Sequence, residues 1–243
     1  RETQVYQAGE ESAVHLVEHL IARHGINADT HSQGETVMAH RPKTRDALMK
    51  EAHASGAEFI DGPDLVKNGL GGEFHGALTT PTGFALNPRK YLFGLASAAQ
   101  SAGAELYQNS AALDVQNNGG GWHISSPKGR LSASRLVIAT NGYSSETLPD
   151  WLGGRYMPTQ STVMVTRPIT PEEQATQGWT TAQMAYDTRH MLHYFRLMPD
   201  GRFLFGMRGG LTSSPRSEAK IRTLLRRHFE QLFPAWRQVE TTH

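Results

Sequence analysis

Ala13, Leu16, Val17, Leu20 and Ile21 recur at the spacing of one helix face, which predicts a helix over residues 5–24, stopped by Gly25. Residues 35–40 read as a short strand and residues 42–55 as a second, more polar helix ended by Gly56. Gly62, Gly69, Gly71, Gly72 and Gly76 make residues 61–76 irregular, a short helix followed by a loop. Asn87-Pro88 has the form of an N-cap followed by proline at the first helical position, and predicts a helix running to Gly103. Its thin stretch Ala96-Ser97-Ala98-Ala99 would let it approach a sheet closely.

Residues 105–107, 111–115, 122–125 and 130–133 follow as strand candidates separated by Gly- and Pro-rich turns. Leu136-Val137-Ile138-Ala139-Thr140 is a continuous apolar run, as expected of a strand buried on both faces. Beyond it, residues 159–166 alternate as an antiparallel strand does, and residues 192–197 and 202–207 flank Pro199-Asp200-Gly201, a hairpin signal. Ser214-Pro215 opens a last amphipathic helix with Ile221, Leu224, Leu225 and Leu232 facing inward, ending near Pro234. The pattern predicts a mixed α/β and α+β fold whose second half is an antiparallel sheet with helices on one face.

The chain has 243 residues, 38% hydrophobic and 19% charged, enough for a packed core. Lys+Arg 24 against Asp+Glu 23 leaves a formal charge of +1, so nothing points to nucleic acid or to an anionic membrane. The absence of cysteine excludes disulfides, cysteine-ligated zinc, iron–sulfur clusters and a thiol nucleophile, and fits a cytoplasmic location. No apolar run approaches the roughly 20 residues of a bilayer-spanning helix.

His15-Leu16-Val17-Glu18-His19 is an H-x-x-E-H, which on a helix can grip zinc with the glutamate activating water. It makes a zinc hydrolase one alternative function, although an amphipathic flank carrying two histidines looks the same and no third ligand is marked. His190 and His193, three apart on a strand, point to opposite faces and share a ligand poorly. No G-x-G-x-x-G, P-loop or G-x-S-x-G occurs; Gly69-Leu70-Gly71-Gly72 comes nearest, without a preceding apolar strand. Arg216, Lys220, Arg222, Arg226 and Arg227 make the last helix basic, which reads as a solvated face.

The order of several motifs is more specific. A hairpin and apolar strand ending in Ala139-Thr140-Asn141-Gly142 resembles the way flavoenzymes of the two-dinucleotide-binding type close their interrupted nucleotide domain. Gly83-Phe84-Ala85-Leu86-Asn87-Pro88-Arg89-Lys90-Tyr91, Ala102-Gly103-Ala104-Glu105-Leu106 and Tyr156-Met157-Pro158 extend the resemblance. So do Asp187-Thr188-Arg189 and the run from His193 to Gly206. Together they resemble the D-amino-acid oxidase family of FAD-dependent amine oxidoreductases, most closely its γ-glutamylputrescine oxidoreductase branch. The family's amino-terminal β-α-β unit, with its glycine-rich FAD loop, and its carboxyl-terminal segment have no counterpart here. The expectation is the central part of a longer polypeptide, with those two segments as its partners, and a chain that alone is colourless and inactive.

The resemblance implies residues 1–82 and 151–243 as a substrate domain and 83–150 as an inserted part of the FAD domain. It implies FAD contacts at Ala112 and at Ala139, Thr140, Asn141 and Gly142. It also implies a small-molecule amine substrate over the antiparallel sheet. Tyr194 and Arg196 alternate onto one strand face, where an arginine can hold a carboxylate bidentately and a tyrosine hydroxyl can orient an amine; a solvent-facing hairpin is the other reading. Arg155 and Arg208 are further substrate-binding candidates of the same kind. No catalytic side chain and no metal ligand is assigned. A ligand- or partner-binding module of the same fold without redox chemistry is the remaining alternative.

Overall fold

The computed structural model describes residues 2–157, 159–209 and 214–242; Pro158 of the Tyr156-Met157-Pro158 motif lies outside them. In chain order the first elements are α1 (Glu2–His24), β1 (Glu35–Met38), α2 (Pro42–Ser55), β2 (Glu58–Asp61), β3 (Gly76–Thr80) and α3 (Pro88–Ser101). They are followed by β4 (Asp114–Asn117), β5 (Trp122–Ser126), β6 (Gly129–Ala133) and β7 (Gln160–Pro168). The last are α4 (Pro171–Gln177), β8 (Ala185–Asp187), β9 (His193–Leu197), β10 (Arg202–Gly209) and α5 (Pro215–Leu232). Two compact units result, Arg1–Ala98 with Gln160–His243, and Ala99–Thr159.

The first unit is built on a seven-stranded sheet in the order β2-β3-β1-β8-β9-β10-β7. Every pairing in it is antiparallel except β1 with β8, which joins residues 36–38 to 185–187. The β9–β10 hairpin turns at Gly201, whose φ of 79° favours glycine, with Met198 N–H donating to Arg202 O at 2.8 Å. Strand β9 buries His193, Phe195 and Leu197 and leaves Tyr194 and Arg196 half-buried on the other face. The buried face carries the main core, where Trp179, Phe195, Phe203, Phe205, Phe229, Phe233 and Trp236 meet edge to face and stacked. Helix α5 closes that core with Leu225, Phe229 and Leu232. Its N-cap Ser214 Oγ accepts the Ser217 N–H at 3.2 Å. The register shift between Arg202 and Leu204 is satisfied by Thr166, whose Oγ1 accepts the Phe203 N–H at 2.9 Å. The opposite face is covered at its β2-β3-β1 end by α2, which packs Leu48 and Ala52 on Leu78 and Phe59. Strands β2 and β3 and helix α4 are elements that periodicity alone does not predict.

Helix α1 ends as expected at Gly25, with φ of 60°, but its apolar stripe buries nothing: none of residues 5–24 is buried and Leu16 is exposed. Helix α3 keeps its Asn87 cap, the side-chain Oδ1 accepting the Lys90 N–H at 3.2 Å, and stops at Ser101, before Gly103. Its close approach is made by Gly94, where an added Cβ would lie 2.4 Å from Ile26, and not by residues 96–99 against a sheet.

The second unit holds the antiparallel meander β4-β5-β6. Three expectations are corrected here. Residues 105–107 form no strand, and β4 begins at Asp114, so Ala112 precedes it. Residues 136–140 form neither a strand nor a buried segment: they are irregular, with Val137 84% exposed. A strand exists only through a paired neighbour, and no described strand pairs with this run.

Candidate substrate face

The open part of the sheet face opposite the aromatic core lies over β8, β9, β10 and β7. Register places Gly206 opposite both Tyr194 and Val163, Leu204 opposite Arg196, and Arg208 opposite Ser161. Tyr194, Arg196 and Arg208 therefore share one face, with Tyr186 beside Tyr194 on β8. Burial first, and then the Glu35 carboxylate, push Tyr186 up to about 12, so it stays a neutral donor, its hydroxyl donating to Glu35 Oε1 at 3.3 Å.

Arg196 is the unusual charge on this face. Among the described half-buried arginines, Arg45, Arg167, Arg189, Arg202 and Arg226 each pair with a carboxylate. Arg196 has no carboxylate or carbonyl partner among the described residues, and burial alone pulls its guanidinium below the usual arginine range. His31 is held below the usual histidine range, by burial first and by the charge of Arg196 second. His31 also lines an open cleft of about 660 Å³ between α1 and residues 30–33 and 81–84.

The other sequence-predicted site residues lie in the second unit. Arg155 is exposed there. Ala112 and Ala139 to Gly142 are exposed as well, the last ending in a short 3-10 turn, Asn141–Tyr143. Asn141 has φ of 49° and its Oδ1 accepts the Gly142 N–H at 2.8 Å. A Cβ added to Gly142 would meet no atom within 4 Å, so the turn encloses nothing by itself. Small side chains and bare main chain on an open surface leave room for a dinucleotide such as FAD to lie alongside.

A polar cluster that local pattern does not reveal sits on the core face. Asp187 is fully buried and accepts from His193 Nδ1 at 2.6 Å, His193 N at 3.2 Å and Arg189 N at 3.1 Å, with Arg189 Nη1 paired to the same carboxylate. The other ring nitrogen of His193 is hydrogen-bonded to His228 Nδ1 at 2.8 Å, and its ring stacks on Phe205. Burial would raise Asp187, but the bond to His193 and the charges of His193 and Arg189 hold it below the usual carboxylate range. His228 is lowered by burial first, then by the charge of His193. The sequence signal for the third member is slight: His228 stands three residues after Leu225 and four before Leu232, at the edge of the buried stripe of α5.

His15 Nδ1 and Glu18 Oε2 are 3.0 Å apart on the exposed surface of α1 and engage each other. Among the described residues no three His, Cys, Asp or Glu side chains are grouped to hold a metal ion. Among them also, no helix is long and apolar enough to cross a membrane.

The sequence profile of the family described as FAD dependent oxidoreductase matches residues 1–243. The chain is 33% identical over 187 residues, 76% of its length and 42% of the relative's, to "Probable oxidoreductase OrdL" of Rhizobium meliloti (strain 1021). It is 25% identical over 183 residues, 75% of its length and 42% of the relative's, to "Gamma-glutamylputrescine oxidoreductase" of Escherichia coli (strain K12). It spans about half the length of the curated relatives it matches. Among solved structures the fold is similar to glycine oxidase from Bacillus cereus ATCC 14579, with a TM-score of 0.72 and 16% identity over 97% of this chain and 65% of that one. L-proline dehydrogenase from P. horikoshii also has a TM-score of 0.72, with 14% identity over 96% of this chain and 64% of that one. With the profile matching from end to end, the chain belongs to the D-amino-acid oxidase type family of FAD-dependent oxidoreductases.

Proposed function

We propose that the protein carrying this chain oxidises the C–N bond of a carboxylate-bearing amine or amino acid, a γ-glutamylputrescine-like compound being one such substrate. The carrying observation is Arg196, the one half-buried arginine among the described residues that pairs with no carboxylate. The relative described as a γ-glutamylputrescine oxidoreductase and the fold shared with glycine oxidase support the reading.

Arg196 binds the substrate carboxylate in a two-pronged, charge-assisted contact. The Tyr194 hydroxyl accepts from, or donates to, the substrate amine and orients it, while Arg208 lies one repeat further along β10. Ala112 and Ala139, Thr140, Asn141 and Gly142 line one side of the cofactor, and the neighbours of residues 136–140 come from other segments of the same polypeptide. FAD, when bound, supplies the two-electron acceptor for the carbon next to nitrogen. The 243 residues alone form too little of a dinucleotide cradle to turn substrate over.

In the flavin-loaded protein, Arg196→Ala is expected to raise KM about thirtyfold for a carboxylate-bearing amine, with kcat little changed. That corresponds to about 2 kcal/mol of binding made equally in ground and transition states. An amine without a carboxylate is expected to be indifferent to the change. Equal loss for both amines, or loss for neither, would make Arg196 a structural hairpin residue.

A further inference from the structure

Tyr194 lies in an unusual place for a strand side chain. A Cβ built on Gly206 would fall 2.3 Å from both Cε2 and Cζ of Tyr194 and 2.6 Å from its Oη. The outer edge of the ring therefore rests directly on the bare backbone of β10. Beyond β10 the hydroxyl reaches β7, where it is 2.6 Å from Ser161 Oγ. The phenol thus spans three strands, rooted on β9, floored by Gly206 and tied down at Ser161. Any residue other than glycine at 206 forces the ring up, into the space above the sheet, and carries the hydroxyl away from Ser161.

We infer that Gly206 and Ser161 are positioning residues that dock Tyr194 flat across β10. In doing so they set the depth of the substrate face and hold the phenol hydroxyl at Ser161 on β7, in the row of Arg208. Residue 206 is then a specificity determinant: a flat ring leaves room for a substrate chain running along the sheet, and a raised ring closes it. Ser161 occupies one hydrogen-bonding position of the hydroxyl and leaves the rest to substrate. The inference rests on the proposed substrate face, and its test separates the two.

In the flavin-loaded protein, Gly206→Ala is expected to lower kcat/KM about a hundredfold when Tyr194 is present. The same change is expected to cost less than about twofold in a Tyr194→Ala background, because Gly206 acts only through that ring. Ser161→Ala, which leaves β10 intact and serves if Gly206→Ala does not fold, is expected to cost about fivefold alone and nothing in a Tyr194→Phe background. Equal costs in both backgrounds, for either variant, would overturn the positioning role. Independently of turnover, 3-fluorotyrosine placed at 194 is expected to give a ¹⁹F line that shifts in Ser161→Ala and Gly206→Ala. A line that neither variant moves would overturn the docking itself. Full activity in Tyr194→Ala would overturn the positioning role, while the carboxylate site at Arg196 would still stand or fall by Arg196→Ala.

Discussion

The two units are both built on antiparallel strands, yet they differ sharply in what they bury. The seven-stranded unit hides eight aromatic residues in one core, Phe74 and Phe195 among them, with Trp179, Phe203, Phe205, Phe229, Phe233 and Trp236 fully inaccessible. In residues 99–159 no described residue is buried, and Val137, Tyr143 and Leu113 are exposed. Apolar residues are available in both. A second layer is not: β9 and β10 lie against α5, whereas the β4-β5-β6 meander stands as one layer. Hydrophobic sequence becomes core only where another element covers it.

The largest test of that contrast is Phe203→Ala. Its ring is 4.9 Å, centroid to centroid, from those of both Phe233 and Trp236, and truncation is expected to cost about 3–5 kcal/mol in urea unfolding. A cost under 1 kcal/mol would mean that the aromatic layer is loosely packed.

Next comes Asp187→Asn, which weakens every contact made to a buried carboxylate and is expected to cost about 1–3 kcal/mol at neutral pH. Its pH dependence has a definite sign. Asp187 is lowered in the folded state, so its contribution is fully present above the ordinary carboxylate range and is lost as pH falls from that range through the lower folded value. His31, His40 and His228 are also lowered, burial being the first cause for each, so the unfolded chain takes up their protons first. Stability is therefore expected to fall already between about pH 7 and pH 5. A urea midpoint that stays level over that interval in the wild-type chain would contradict the lowering of these three half-buried histidines.

A smaller effect is expected at the start of α5. Ser214→Ala removes the acceptor for the Ser217 N–H and is expected to cost about 1 kcal/mol, read as a shift in unfolding midpoint without a change in slope. The smallest belongs to the other unit. Val137→Ala is expected to change the stability of this chain by less than about 0.5 kcal/mol. Amides of residues 136–140 are expected to exchange with solvent far faster than those of β9 and β10. Protection of 136–140 in this chain would show that the run finds a strand partner after all.

The elements that were legible in the sequence carry their instructions within a few residues. Helix α2 starts at Pro42 and stops at Gly56, whose φ is 73°. The β9–β10 hairpin turns where Pro199-Asp200-Gly201 stands. Alternation along 193–197 is enough to separate Phe195 from Tyr194 and Arg196. What was not legible depends on residues far apart. The parallel pairing of β1 with β8 joins residues 36–38 to 185–187, and the Asp187–His193–His228 cluster brings a helix to a hairpin. The run at 136–140 has the composition of a strand and lacks the neighbour that would make it one.

By itself, then, the sequence determined several helix ends and the β9–β10 turn, the two-sided character of β9 and, through the order of its motifs, the flavoenzyme family. Caps, turns and period-two alternation are short-range effects of backbone geometry, so they survive without the rest of the molecule. Only the tertiary structure decided which apolar runs became core and which half-buried arginine, among the described residues, was left without a counter-charge. It also laid Tyr194 across Gly206 to reach Ser161. Each of these depends on what another strand or helix places within a few ångströms, and that is a property of the packed chain.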